Sequence, residues 1–318
     1  MPNATIGHRT VVLTAFLHYF VGTTISQIIE IFNTQFYFKL TPGGLIQSWH
    51  NLALALMLWY EQIGASARNS AVLHADETGW RVNGKTHWLW CFTNADVTYY
   101  VIDRSRASPV VKRFFKRAFN GILVTDFYGA YNAIVCADKQ KCLSHLLGDM
   151  KKVEKYKDKS GDWATFSKRL KRILRDGMRL RGRRDSMTPS VYEGLRNRIE
   201  KRLTRHIKME WKNVEAKRLV KRLKRHRKEL LTFLYHDGVP FDNNHAERTI
   251  RNGVVMRKNS YCNRSKDGAK TQAVLMSIFA TLKQRGFHGT NILVDAIQEY
   301  LSNGKLPDLP RKMRQTAE

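Results

Sequence analysis

Three acidic residues stand where they could hold divalent cations: Asp76 in VLHADETGW, Asp126 in GILVTDFYGAY and Glu247 in DNNHAERTIRNG. The first two each close a β-branched, apolar run that reads as a buried strand. The third opens a helical segment beyond a long basic stretch. Carboxylates are the hard oxygen donors that Mg²⁺ or Mn²⁺ takes. Two such ions about 3.5–4 Å apart activate an attacking oxygen and stabilise a departing one at a phosphodiester. Without cations, two of these charges about 4 Å apart repel by about 4 kcal/mol at an effective dielectric of about 20. Metal would therefore order the site.

Each acid also has a purely structural reading. Asp76 could be a turn aspartate, with Glu77 the ligand in its place. Alternation along a strand puts His74 and Asp76 on one face and Glu77 on the other, which favours Asp76. Asp126 could cap a following helix. Asn244-His245-Ala246-Glu247 has capping-box spacing, and Glu247 and Arg251 stand at i,i+4. Around the third acid lie Arg248, Arg251, Arg257, Lys258 and Arg264. They read either as a phosphate grip or as a solvated helix face, and no matching run of acids accompanies them. Cys142-Leu143-Ser144-His145 offers two zinc-type ligands with no second pair at zinc spacing, so no zinc is expected. His74-Ala75-Asp76-Glu77 lacks the downstream Pro-Cys-x-x-Cys of zinc deaminases. Trp80, Trp88 and Trp90 read as core or sheet-face residues before base-stacking platforms.

The charge points to the class of partner. Of 318 residues, 55 are Lys or Arg and 27 Asp or Glu, for a formal charge of +28. That excess predicts strong attraction to a polyanion, with nucleic acid ahead of an anionic membrane. Residues 151–230 alone carry 29 Lys or Arg against 10 Asp or Glu, so the basic character is concentrated in one segment. The longest apolar stretch, Leu52–Tyr60, is about half of what a bilayer crossing needs. No charged start followed by an apolar block marks a signal peptide. Four scattered cysteines, Cys91, Cys136, Cys142 and Cys262, fit reduced thiols in a cytoplasmic protein.

The elements that must position these residues follow from periodicity. Residues 1–67 read as an N-terminal helical segment. Val11, Val12, Ala15, Phe16, Tyr19 and Phe20 recur at helical spacing, and Thr24–Phe32 is a second amphipathic stretch. Thr41-Pro42 caps a third helix from Gly43 to Ile63. This is either a helix-turn-helix-like reader or a helical layer over the core. Residues 68–149 form the first part of an α/β core. Its strands are expected at Ala71–His74, Thr86–Thr93, Val97–Asp103, Gly121–Thr125 and Lys141–Leu147, with a helix over Ala107–Phe119 and another before the last strand. A hairpin at Asn94-Ala95-Asp96 beside a crossover makes the sheet mixed. Residues 150–237 read as a basic helical insertion. Val191, Leu195, Ile199, Leu203 and Ile207 mark one helix, Leu219 to Leu234 another, and a loop covers Arg179–Pro189. Residues 238–318 return to the core with Glu247 and two further helices. If the insertion is a DNA track neutralising about seven phosphates, affinity should fall steeply with salt.

Taken together, HADETGWRVNGKTHWLW, VTDFYGAYNA, CLSHLLGDM, NNHAERTIR and RKNSYCNRS with the following GAKTQAVLMS resemble the DDE transposases of the insertion sequence IS66 family. The matching segments fall in the family's order over residues 68–300. The resemblance implies a ribonuclease-H-like core interrupted by a helical insertion, with Asp76, Asp126 and Glu247 as the catalytic, metal-holding triad. It implies Mg²⁺, with Mn²⁺ as a substitute, and His145 and Arg248 in support. Arg251, Arg257, Lys258 and Arg264 would contact double-stranded DNA, at transposon ends and target. A homo-oligomer on paired ends and a cytoplasmic, nucleoid-associated protein are expected. Water would free a 3′-OH, which then attacks target DNA, without a nucleophilic Ser or Cys. Longer members begin with a cysteine-rich zinc-binding region that this chain lacks, so it reads as a short or truncated form. Two rivals share the same residues: a DNA-binding remnant without activity, and a ribonuclease-H-like nuclease that cuts without joining.

Overall fold

The apolar periodicities fold into twelve α-helices and five β-strands over the residues described by this computed structural model, 6–157 and 160–312. They divide into two compact units. One comprises residues up to 118, 132–134 and those from 244 onward; the other comprises 119–131 and 135–243. No helix among the described residues is long and apolar enough to cross a membrane.

In the first unit, α1 (His8–Phe16) runs into a π-helical turn, Leu17–Val21, that Gly22 stops at φ 91°. Thr24 opens α2 (Ile25–Gln35) with a full capping box to Gln27. Thr41 caps α3 (Pro42–Ala55), and Pro42 takes the first turn. The helix expected to continue to Ile63 breaks at Leu56 (φ −91°, ψ 10°) and restarts as α4 (Met57–Arg68). A straight helix buries one face, but LALALMLWY is apolar all round. Across the break both Trp49 and Trp59 become fully buried. The Trp59 indole donates to Pro307 O at 2.6 Å.

Strands β1 (Val72–Val82), β2 (Lys85–Thr93) and β3 (Thr98–Asp103) form an antiparallel meander, with Asp76 opposite Cys91 and Thr93 opposite Thr98. Asn83 and Gly84, both at positive φ, make the tight β1–β2 turn that this dipeptide favours. The expected hairpin at Asn94 forms, its Oδ1 accepting from the amides of Asp96 and Val97, both at 2.8 Å. Helix α5 (Ser108–Phe115) follows, stopping short of Phe119. Its Phe114 stacks on Phe92 with centroids 3.8 Å apart. After α10 (Asn244–Ser260) come α11 (Lys266–Gln284) and α12 (Gly289–Asn303). Helix α11 is apolar nearly all round and packs against β3, α3 and α4. Two of its hydroxyls complete the outer edge of β3. Ser277 Oγ accepts from Tyr100 N at 2.9 Å and Thr281 Oγ1 from Thr98 N at 3.1 Å. A strand edge that would otherwise invite pairing is thereby closed.

In the second unit, β4 (Phe119–Thr125) pairs in parallel with β5 (Cys136–Lys141), Thr125 opposite Lys141. Two expectations are corrected here. The last strand lies before residue 142, because Leu143 opens α6 (Leu143–Tyr156). The expected helix between the strands is a 3-10 turn, Gly129–Ala133. The sequence of β5, CADKQK, carries no alternating apolar signal because its buried residues are polar. Gln140 is fully buried, donating to the carbonyls of Lys141 and Leu230 and accepting from Phe233 N.

Helices α7 (Trp163–Gly182), α8 (Pro189–Lys208) and α9 (Val214–Arg225) complete this unit. The loop expected from Arg179 begins only after Gly182, since buried Leu180 holds the last turn of α7. On α8 the stripe holds at Ile199, Leu203 and Ile207. Val191 is exposed, and Tyr192 takes its place, its hydroxyl donating to Leu234 O at 3.1 Å.

His206, also on α8, is buried against Phe166 and Trp211 with neither ring nitrogen hydrogen-bonded. Burial, with Arg169 nearby, pulls its pKa down to about 4. Unfolded, the ring takes a proton near 6.5; folded, it stays neutral to about pH 4. Stability is therefore expected to fall as the pH drops through that window, by about 2–3 kcal/mol in all. Denaturant titrations from pH 7 to 4 should show the loss in the wild type. His206→Phe should flatten that part of the profile.

Candidate active site

Asp76 lies in the middle of β1, a correction to its expected place at a strand end. The strand continues because Trp80 and Val82 bury beyond it. Asp76 is half-buried, and its Oδ1 accepts from Glu77 N at 2.9 Å. Glu77 is bound elsewhere. Arg106 donates to its Oε1 from two nitrogens at 2.9 and 3.1 Å, and the guanidinium lies 4.4 Å over the Trp88 ring. The Glu77 side chain is 2% exposed. Trp80 and Trp90 are core residues whose indoles donate to Asn263 Oδ1 and Ser105 O.

Glu247 is half-buried in the first turn of α10, where the helix dipole favours a carboxylate. Helix α10 packs on β1 and β2, so Asp76 and Glu247 are carried by directly packed elements of one unit. Two contacts set how the helix lies. Gly253 meets Leu89 so closely that a Cβ would overlap Leu89 Cδ2. Further along, Arg257 donates to Gly79 O and to Thr78 Oγ1. Because Leu89 is fully buried, it has little room to yield. Gly253→Ala is expected to destabilise the protein by about 1–3 kcal/mol, read as a lower denaturant midpoint. The i,i+4 pair expected between Glu247 and Arg251 is not formed: Arg251 makes no ion pair among the described residues. His74 is buried, its ring 5.2 Å from that of His245. The His245 Nε2 lies 2.7 Å from Asn94 O.

Asp126 and His145 belong to the second unit. Asp126 directly follows β4, half-buried, and its Oδ1 accepts from Tyr128 N at 2.9 Å. That is a local turn bond two residues on, before the 3-10 segment, in place of the helix cap considered for it, and it uses one carboxylate oxygen. Beside it Lys141 is fully buried, donating to Thr125 Oγ1 at 3.0 Å. Burial pushes its pKa down to about 8, opposed by the carboxylates of Glu229 and Asp126. Cys142 is buried at the start of α6 and accepts from Asn243 N at 3.2 Å. His145, in the first turn of α6, is exposed. All four cysteines are free thiols.

The cations differ in availability. Arg248, Arg251, Lys258 and Arg264 are exposed and make no ion pair among the described residues, whereas Arg257 is committed to the β1 backbone. In the second unit, Lys168, Arg172, Arg175 and Arg179 are exposed along α7 at i, i+4, i+7 and i+11. They line one side of a cleft of about 630 Å³. That spacing makes a stripe roughly 16 Å long. Lys171 beside it is neutralised by Glu154 at 2.5 Å. Sequence reasoning missed Arg106 and Lys141. Arg106 finds its partner 29 residues away, and a single lysine ending a polar strand gives no local signal.

The family model described as Transposase IS66 family matches residues 4–271. No curated protein matches the chain significantly.

Proposed function

We propose that this chain, which belongs to the IS66 family of transposases, is a metal-dependent enzyme that cleaves insertion-sequence ends and joins the freed 3′-OH to target DNA. The observation that carries the reading is the packing of α10, bearing Glu247, on β1, bearing Asp76, inside the span the family covers. Three antiparallel strands, a helix and a parallel pair, in that chain order, support a ribonuclease-H-like core.

Asp76, Asp126 and Glu247 are the proposed ligands. Their oxygens suit Mg²⁺ or Mn²⁺ better than softer metals, and Asp76 and Glu247 are half-buried, as ligands reached from solvent need to be. Glu77 is withdrawn from that role by Arg106. Divalent ions bound by the three carboxylates would activate the attacking oxygen and stabilise the leaving one. The chain's own part is positional. Gly253 sets α10 against β2 and Arg257 against β1, and Arg248 and Arg251 present guanidinium groups to phosphates next to Glu247. Lys258 and Arg264 extend that grip to double-stranded DNA, and the protein acts as a homo-oligomer on paired ends.

The test supplies a pre-cleaved oligonucleotide end, a target plasmid and Mg²⁺. Joined product is expected. Cutting of an intact end without joining would instead identify a nuclease. Binding with neither reaction, in Mg²⁺ or Mn²⁺, would identify a DNA-binding remnant.

A further inference from the structure

Beside Glu247, within the same unit, a cleft of about 570 Å³ opens between α10 and α11 over a floor of Thr98 and Tyr100. Arg248 and Arg251 enter it from α10 and Lys283 from α11, and no carboxylate lines it. None of the three cations makes an ion pair among the described residues, and the Asn252 amide between them makes no hydrogen bond there. Phe20 forms one wall: Phe16 stacks on its ring with centroids 5.1 Å apart, and Lys283 Nζ, 5.2 Å from the ring centroid, would turn to a phosphate as a base packs there. Three like charges gathered without a counter-charge repel one another until an anion joins them. An aromatic wall, an unbonded amide and three cations together match the needs of a nucleotide: a face for the base, a polar partner for its edge, charge for its phosphates. The volume is that of a small-ligand site, enough for a strand segment of roughly one or two nucleotides and too small for a duplex.

We infer that this cleft seats an unpaired segment of the DNA strand, its phosphates on Arg248, Arg251 and Lys283, its base against Phe20 and its edge at Asn252. The inference rests on the transposase reading for the identity of the polymer. It assigns Lys283, Asn252 and Phe20 a role that the motif residues did not suggest.

The test measures binding of the full chain by fluorescence anisotropy, in EDTA and at one fixed salt concentration. It compares a blunt duplex with the same duplex bearing a short single-stranded 3′ tail. The wild type should bind the tailed DNA about tenfold more tightly, in line with the stacking of one base. Lys283→Gln and Asn252→Ala should each erase most of that preference and leave blunt-duplex affinity within about twofold. Lys283 is exposed, so its replacement should not disturb folding. Lys283→Arg should retain the preference. Equal affinity of the wild type for both DNAs would overturn the inference, as would variants that weaken both DNAs alike. Because the readout needs no cleavage, the two readings fail separately. A tail preference without strand transfer would keep the cleft and sink the transposase. Strand transfer without a tail preference would do the reverse.

Discussion

Asp76→Asn and Glu247→Gln should each abolish Mg²⁺-dependent nicking and strand transfer while leaving DNA affinity within about twofold. Each change keeps the shape of a half-buried side chain and removes its charge. Affinity comes mainly from cations meeting phosphates, and neither acid contributes to that. The rate depends on charge stabilisation at the reacting phosphorus worth several kcal/mol, so losing one ligand should slow the reaction by about 10³-fold or more. Asp126→Asn should behave alike. The informative control is Glu77→Gln. Glu77 neighbours Asp76 in the chain but points to the other face and is held by Arg106. Its loss should cost stability and leave the rate within about tenfold. A Glu77 variant as inactive as the Asp76 variant would mean that the ligand assignment on β1 is wrong. Full strand transfer by either Asp76→Asn or Glu247→Gln would remove the proposed mechanism altogether.

Raising salt from about 50 to 200 mM should weaken DNA binding by about 10³–10⁴-fold, the loss expected when about seven phosphates shed their counterions. The stripe on α7 should account for about half of it. Lys168, Arg172, Arg175 and Arg179 stand on one helix face without ion-pair partners among the described residues, so each is available to a phosphate. Changing all four to Gln should reduce the slope of log affinity against log salt by about 3 to 4. Lys171→Gln should change it by less, because Glu154 already neutralises Lys171. A quadruple variant with the wild-type slope would show that DNA bypasses α7.

Local physics was legible in the chain. Thr41 announces a helix start because a cap bonds three residues onward, and that cap forms. Asn94 announces a turn for the same reason of short range. Alternation placed Asp76 and Glu77 on opposite faces of a strand, and Glu77 indeed turns to Arg106. Strand β5 was illegible because its signal is not local. Gln140 is buried for the sake of a carbonyl and an amide about 90 residues later, and to periodicity it looks like a surface residue. The break at Leu56 was equally hidden, since one apolar run serves two helices that bury different tryptophans.

The sequence by itself determined which residues are acids, which segment is basic, where most helices and hairpins begin, and which family the chain resembles. These depend on side-chain type and on bonds that span a few residues. Only the tertiary structure decided that Asp76 sits inside a strand, that Arg106 engages Glu77, and that Arg257 ties α10 to β1. A charged side chain takes the partner that packing brings within about 3 Å, and that partner can lie anywhere in the chain. Here the separations run from 29 residues, for Arg106 and Glu77, to 178, for Arg257 and Gly79. No rule based on neighbouring positions reaches across them.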